Sequence, residues 1–163
     1  MVRRAGYNTI QIGLHWAVAL LVIFNYLYSD GMGAALDSRL NGTAPEALKL
    51  NPDIHVWVGL AVLVLVLLRL VMRLMRGVPT PSGSGLQQSL AEWVHRLLYA
   101  LMLAAPVLGA LTWFGQIDMF GEPHALIANV LMLLAAGHAL VAIGHHVFLK
   151  DGLLFRMIRP DTK

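Results

Sequence analysis

Seven histidines and no cysteine bound the metal and redox chemistry open to this 163-residue chain. Without thiolates there are no disulfides and no sulfur-ligated clusters, so coordination falls to imidazole, methionine or carboxylate. His124, His138, His145 and His146 share one long apolar stretch, and His15, His55 and His95 lie in or beside three others. An ionisable side chain inside a membrane segment costs a few kcal/mol or more, which makes each a functional-site hypothesis with a partner to be found. On a helix, the fourteen residues from His124 to His138 make nearly four full turns, so both rings fall on one face about 21 Å apart along the axis. One stripe therefore offers imidazoles at two depths, which suits two separate prosthetic groups, one near each membrane surface.

The elements that must position them follow from composition. The chain is 58% hydrophobic and 13% charged, with a mean hydropathy of +0.67, against about 25% charged residues in average soluble proteins. We read an all-α integral membrane four-helix bundle, a single domain over residues 1–163, with helices at about 10–28, 52–75, 90–114 and 123–149. Asn51-Pro52-Asp53 is a strong helix start: a capping Asn, proline at the first helical position and an acid in the first turn. Tyr7-Asn8-Thr9 reads as an interfacial aromatic followed by a cap for the first helix, Pro106 interrupts the third, and Pro123 opens the fourth. The polar stretch 29–51 is an extramembrane loop with room for a short surface helix, and the Gly/Pro-rich stretch 76–89 is a flexible connector. A cleaved signal would also start with basic residues and an apolar run, but this run is long and contains His15 and Trp16.

Orientation follows from the basic residues. Arg3, Arg4, Arg69, Arg73, Arg76, Arg96, Lys150, Arg156, Arg159 and Lys163 lie on the side of the N-terminus, the 2–3 connector and the C-terminus, with Arg39 and Lys49 on the other. By the positive-inside rule both termini are cytoplasmic. The sequence pI of about 9.6 reflects these flanking residues, not a nucleic-acid patch. There is no internal repeat and no phosphate-binding glycine loop.

With this topology the histidines sort by depth. His55 and His124 each follow a helix-starting proline on the outer side. His15 lies about five residues in from the inner end of the first helix, and His138 about six residues inside the inner boundary. A closed zinc site needs four ligands around one ion, which two pairs this far apart do not supply. An iron porphyrin brings four nitrogens of its own and needs only two axial imidazoles, leaving no open position for oxygen and an outer-sphere electron-transfer role. Gly13, Gly59 and Gly137 leave room for a flat macrocycle, although small residues also simply let membrane helices pack. His145 competes with His138 for the inner position, since seven residues return to the same face. His95 is a ligand, a contact for a haem propionate or a quinone, or an interfacial residue. A lone histidine in a membrane helix is more often a hydrogen-bonded packing residue; four at matched depths favour ligands.

These residues resemble the bacterial cytochrome b561 family. The resemblance covers nearly the whole chain and rests on Leu14-His15-Trp16, Ile54-His55-Val56 with Arg69 and Arg73, His95 with Leu98-Tyr99 and Pro106, and the terminal set His124, His138, His145-His146-Val147-Phe148, Lys150-Asp151, Leu154 and Arg156-Met157. It implies four helices holding two b-type haems, with His15, His55, His124 and His138 as axial ligands, which settles the choice between His138 and His145. It also implies a quinone-linked oxidoreductase of the bacterial inner membrane, passing single electrons between a small periplasmic donor or redox protein and ubiquinone. In one branch of the family the donor is superoxide. His145 matches a histidine associated with the quinone region.

The sequence departs from the family in a shorter outer connection, 115–122. Its outer segments hold Asp30, Asp37, Glu46, Asp53, Asp118 and Glu122 against Arg39 and Lys49, a balance that repels an anion such as superoxide unless Arg39 or Lys49 lines a local funnel. Two other function classes stand beside the di-haem electron carrier: a haem-bearing anchor or relay subunit without its own substrate, and a non-haem metal or proton transporter using the histidines as a relay.

Overall fold

The computed structural model describes residues 6–43, 51–77 and 85–160. Their ordered elements are helical: α1 Thr9–Leu27, α2 Met32–Asn41, α3 Pro52–Arg76, α4 Leu86–Trp113 and α5 Gly121–Gly144. Short 3-10 turns cover Asp118–Phe120 and Leu154–Met157, and α5 runs into a π-turn at His145–Leu149. Four segments are long and apolar enough to cross a membrane: Thr9–Leu27, Pro52–Arg76, Leu86–Trp113 and Asp118–Leu149. The basic residues Arg3, Arg4, Lys49 and Lys163, the acid Glu46 and most of the 2–3 connector lie outside the described residues.

Local chemistry sets the helix ends. Asn8 and Gln11 form a reciprocal capping box, Asn8 Oδ1 accepting from Gln11 N at 2.8 Å and Gln11 Oε1 from Asn8 N at 3.3 Å. Gln11 Nε2 then donates to Gly77 O at 3.3 Å, tying the start of α1 to the end of α3. At α3 the Asn51 side chain accepts from Asp53 N at 2.9 Å ahead of Pro52. Asn51→Ala should therefore cost about 1 kcal/mol, read as a lower Tm in detergent. The third membrane helix begins four residues before the expected residue 90, because its first turn is polar and wet: Gln88 bonds Glu92 and Ser89 Oγ bonds Gly85 O. Hydropathy alone marks only where the apolar run starts. The expected surface helix after the first span is α2, bounded by Gly31 and Gly42 at φ 80° and 63°, left-handed values that glycine adopts without strain.

Consecutive spans pack on one another, α1 on α3, α3 on α4 and α4 on α5, with a thinner contact closing α5 onto α1. The best-buried cluster is Val18 on α1 with Val62 and Val66 on α3, joined by Leu21, Val22, Tyr99 and Met102. Along α3 these valines lie between His55 and Arg69, and along α1 Val18 lies between His15 and Asn25. A buried apolar layer thus separates the two ends of the bundle. The outward residues are equally apolar, with Leu74 and Leu133 each 77% exposed, as expected of surfaces solvated by lipid chains.

Candidate functional site

The histidines gather at two levels. At one end His55 of α3 and His124 of α5 face each other, ring centroids 6.1 Å apart and planes at 88°. Each is oriented by a main-chain carbonyl of a neighbouring helix. His55 Nδ1 donates to Asn25 O at 3.1 Å, and His124 Nδ1 donates to Ala105 O at 2.8 Å. A carbonyl only accepts, so the ring nitrogen that meets it is the protonated one, and a neutral ring held in this way carries its lone pair on Nε2, the tautomer in which histidine binds a metal. First-row metal–imidazole bonds of about 2.0 Å place two rings on opposite sides of one ion with centroids roughly 6 Å apart, close to the spacing of this pair.

A cavity of about 400 Å³ opens at this level, lined among others by Asn25, His55, Gly59, Ala105, Gly109 and His124. That size falls within the usual range of ligand sites. The α4 wall is a run of small residues, Ala105, Pro106, Gly109 and Ala110, while α2 contributes Met32, Gly33 and Leu36 at the mouth. Gly109 is tightly placed: a Cβ there would stand 3.0 Å from His124 Cε1 and 3.2 Å from its Nδ1. Asn25 Oδ1 is buried without a hydrogen-bond partner, an acceptor left for a group the chain does not itself provide. Tyr26 donates to Asn129 Oδ1 at 2.7 Å nearby. Arg39 of α2 stacks over Trp113 at 4.9 Å and donates to its carbonyl at 3.3 Å.

At the other end the arrangement differs. His138 of α5 lies against His95 of α4, centroids 5.1 Å apart, and His95 Nδ1 donates to Ala91 O at 2.7 Å within its own helix. His15 of α1 is instead engaged by Arg69 of α3, Nη1 to Nδ1 at 2.6 Å. Further along α5 the π-turn carries His145, whose Nδ1 meets Asp151 Oδ2 at 2.6 Å, with Asp151 Oδ1 accepting from Leu153 N. The His145 contact holds the Asp151 carboxyl below its usual value, so the pair persists in mild acid and is lost only as pH falls through that lowered value. Trp16 Nε1 donates to Met157 O at 2.7 Å, fastening the C-terminal segment to α1.

Sequence reasoning thus brought His55 and His124 together, and placed His15, His95 and His138 at the opposite end. It missed Asn25, the Ala105 carbonyl and Gly109. Among these only Gly109, one turn beyond Ala105 in a small-residue run around Pro106, left a visible signal. Among the described residues no three His, Cys, Asp or Glu side chains converge as a metal site. The donor set is two imidazoles and an apolar slot, which fits a metal already bound in the plane of a macrocycle and not a bare ion.

A family model described as prokaryotic cytochrome b561 matches residues 6–160. The chain is 43% identical to a cytochrome b562 of Cereibacter sphaeroides, covering 98% of this chain and 99% of that one. It is 32% identical to a probable superoxide oxidase of Yersinia pestis, over 93% and 95% of the two chains. It is 29% identical to cytochrome b561 homolog 1 of Escherichia coli, over 93% and 96%. No solved structure matches.

Proposed function

The chain belongs to the prokaryotic cytochrome b561 family of membrane haem cytochromes that transfer electrons, and from that premise we propose a di-haem b-type carrier moving single electrons between a periplasmic donor and ubiquinone. The outer haem would be held by His55 and His124, and the inner by His15 and His138, with both termini cytoplasmic by the distribution of basic residues. The observation that carries this reading is the His55–His124 pair: two imidazoles 6.1 Å apart, each with Nδ1 bonded to a fixed main-chain carbonyl.

Haem b, when bound, supplies a one-electron Fe(III)/Fe(II) couple. The chain's own work is positional. Asn25 O and Ala105 O fix the tautomer and orientation of the two rings, and a hydrogen bond on the far nitrogen also raises ligand basicity. The small-residue wall from Ala105 to Ala110 admits a flat ring. The Val18–Val62–Val66 layer keeps water from between the two levels. At the cytoplasmic end His145, oriented by Asp151, keeps Nε2 free as a proton acceptor or donor for quinone chemistry. Reduction of one quinone takes two electrons and two protons, so two one-electron donors are consumed per quinol.

The relative named as a probable superoxide oxidase makes superoxide the first donor to test. The acidic outer segments favour a second reading, a relay serving a positively charged redox partner. The purified chain should show b-type bands in a dithionite-reduced minus oxidised spectrum. Haem reduction by superoxide alone, followed by reoxidation with ubiquinone, supports the oxidoreductase. Reduction only in the presence of a partner protein supports the relay. Absence of b-type bands sinks both and leaves a non-haem metal or proton transporter. Within this scheme His145→Ala should slow quinone-dependent haem oxidation; an unchanged rate removes His145 from the quinone step.

A further inference from the structure

Arg69 is a charged side chain that the proposed function leaves without a task. It is half-buried in α3, one turn past the valine core, and donates to His15 Nδ1. Its guanidinium lies 5.7 Å from the Tyr99 ring centroid, and that of Arg73, one turn further, lies 5.8 Å from the same ring. Among the described residues neither arginine forms an ion pair with a carboxylate; the pairs present are Arg96 with Glu92 and His145 with Asp151. Two guanidinium groups over one ring at the edge of a membrane span, paired with no carboxylate among the described residues, suit an anion.

The bond to His15 carries a further constraint. A guanidinium only donates, so His15 Nδ1 accepts, and the proton of the neutral ring is on Nε2. A neutral histidine that ligates a metal gives one nitrogen's lone pair to the metal and carries its proton on the other. In neither orientation does Nδ1 remain an acceptor for Arg69. The Arg69–His15 bond and ligation by His15 therefore exclude each other.

We propose that Arg69 changes partners when this end of the bundle is assembled: it releases His15 and takes a carboxylate of the haem edge, with Arg73 beside it on the Tyr99 ring. This rests on reading His15 as an axial ligand. The carboxylate is the partner to which the planar guanidinium is matched, by two parallel hydrogen bonds, and haem b carries two, as propionates. Before assembly Arg69 holds the His15 ring in place; afterwards its charge disfavours the ferric state and keeps the inner potential up.

The test is a redox titration of the purified holoprotein, with haem content measured by the pyridine haemochrome, in wild type, Arg69→Gln and Arg69→Lys. Arg69→Gln should lower the midpoint of the haem that is lost in His138→Ala and leave the other unmoved, and Arg69→Lys should restore most of the shift. Loss of that haem in Arg69→Gln with retention in Arg69→Lys supports the proposal equally. Unchanged midpoints, equal shifts of both haems, or haem loss in both variants overturn the proposal. Unchanged midpoints together with loss of co-purifying anionic lipid assign the guanidinium to a lipid phosphate instead. A wild-type chain holding two haems while Arg69→Gln behaves normally overturns this inference alone, whereas absence of haem b from the wild type overturns the proposed function with it.

Discussion

His55→Ala and His138→Ala should each lose about half of the bound haem, and the midpoint potential lost should differ between them. Two axial imidazoles serve one iron, and the structure puts His55 against His124 at one end while His138 sits beyond the valine layer at the other. On the proposed ligation, removing one imidazole would leave a single protein bond at that iron and an apolar slot behind it, so occupancy of that site should collapse while the other is untouched. Pyridine haemochrome quantitation with a redox titration of each variant reads this directly. Equal depletion of both potentials in either variant would show that the two levels are one cooperative unit, and the proposal of two independent haem sites would fail.

The second large effect is expected from a residue that touches no metal. Gly109→Val should empty the His55–His124 level while leaving the other haem in place, and Gly109→Ala should give an intermediate, loosened site. A Cβ at Gly109 would meet the His124 ring at 3.0 Å, so even alanine obliges that ring to give by a few tenths of an ångström. The ring cannot yield freely, because its Nδ1 is held by Ala105 O at 2.8 Å on the same stretch of α4. Valine adds two methyl groups beyond that limit, which forces the ring off its carbonyl and frees the tautomer. Haem content and the low-spin spectrum of the two variants check the ordering. Normal occupancy in Gly109→Val would mean that the close approach of α4 to His124 is not needed.

Much of the architecture was legible in the chain because the physics of a bilayer is read directly from composition. When every main-chain group must be satisfied internally, four apolar runs of about twenty residues read as helices, since a membrane strand needs about half that length, and the caps at Asn8 and Asn51 fix where two of them begin in the structure. Sequence spacing alone set His55 level with His124, since rise per residue converts chain position into height. It also set His15 level with His138, but height says nothing about azimuth. In the structure the ring beside His138 is His95, and His15 is turned to Arg69.

What the sequence determined by itself is therefore the set of spans, the family resemblance and the sorting of histidines into two ends. What only the tertiary structure decided is which groups orient them. Asn25 acts on His55 through its main-chain carbonyl, as Ala105 does on His124, and a carbonyl's availability depends on the neighbouring helix and not on side-chain identity. Gly109 matters because α4 approaches the His124 ring so closely that a single methyl group does not fit without displacement. Arg69 meets His15 because helix packing brings it from fifty-four residues away to the His15 Nδ1 nitrogen. Spacing along a helix fixes which residues share a height; the rotation and packing of whole helices against one another fix what each of them meets there.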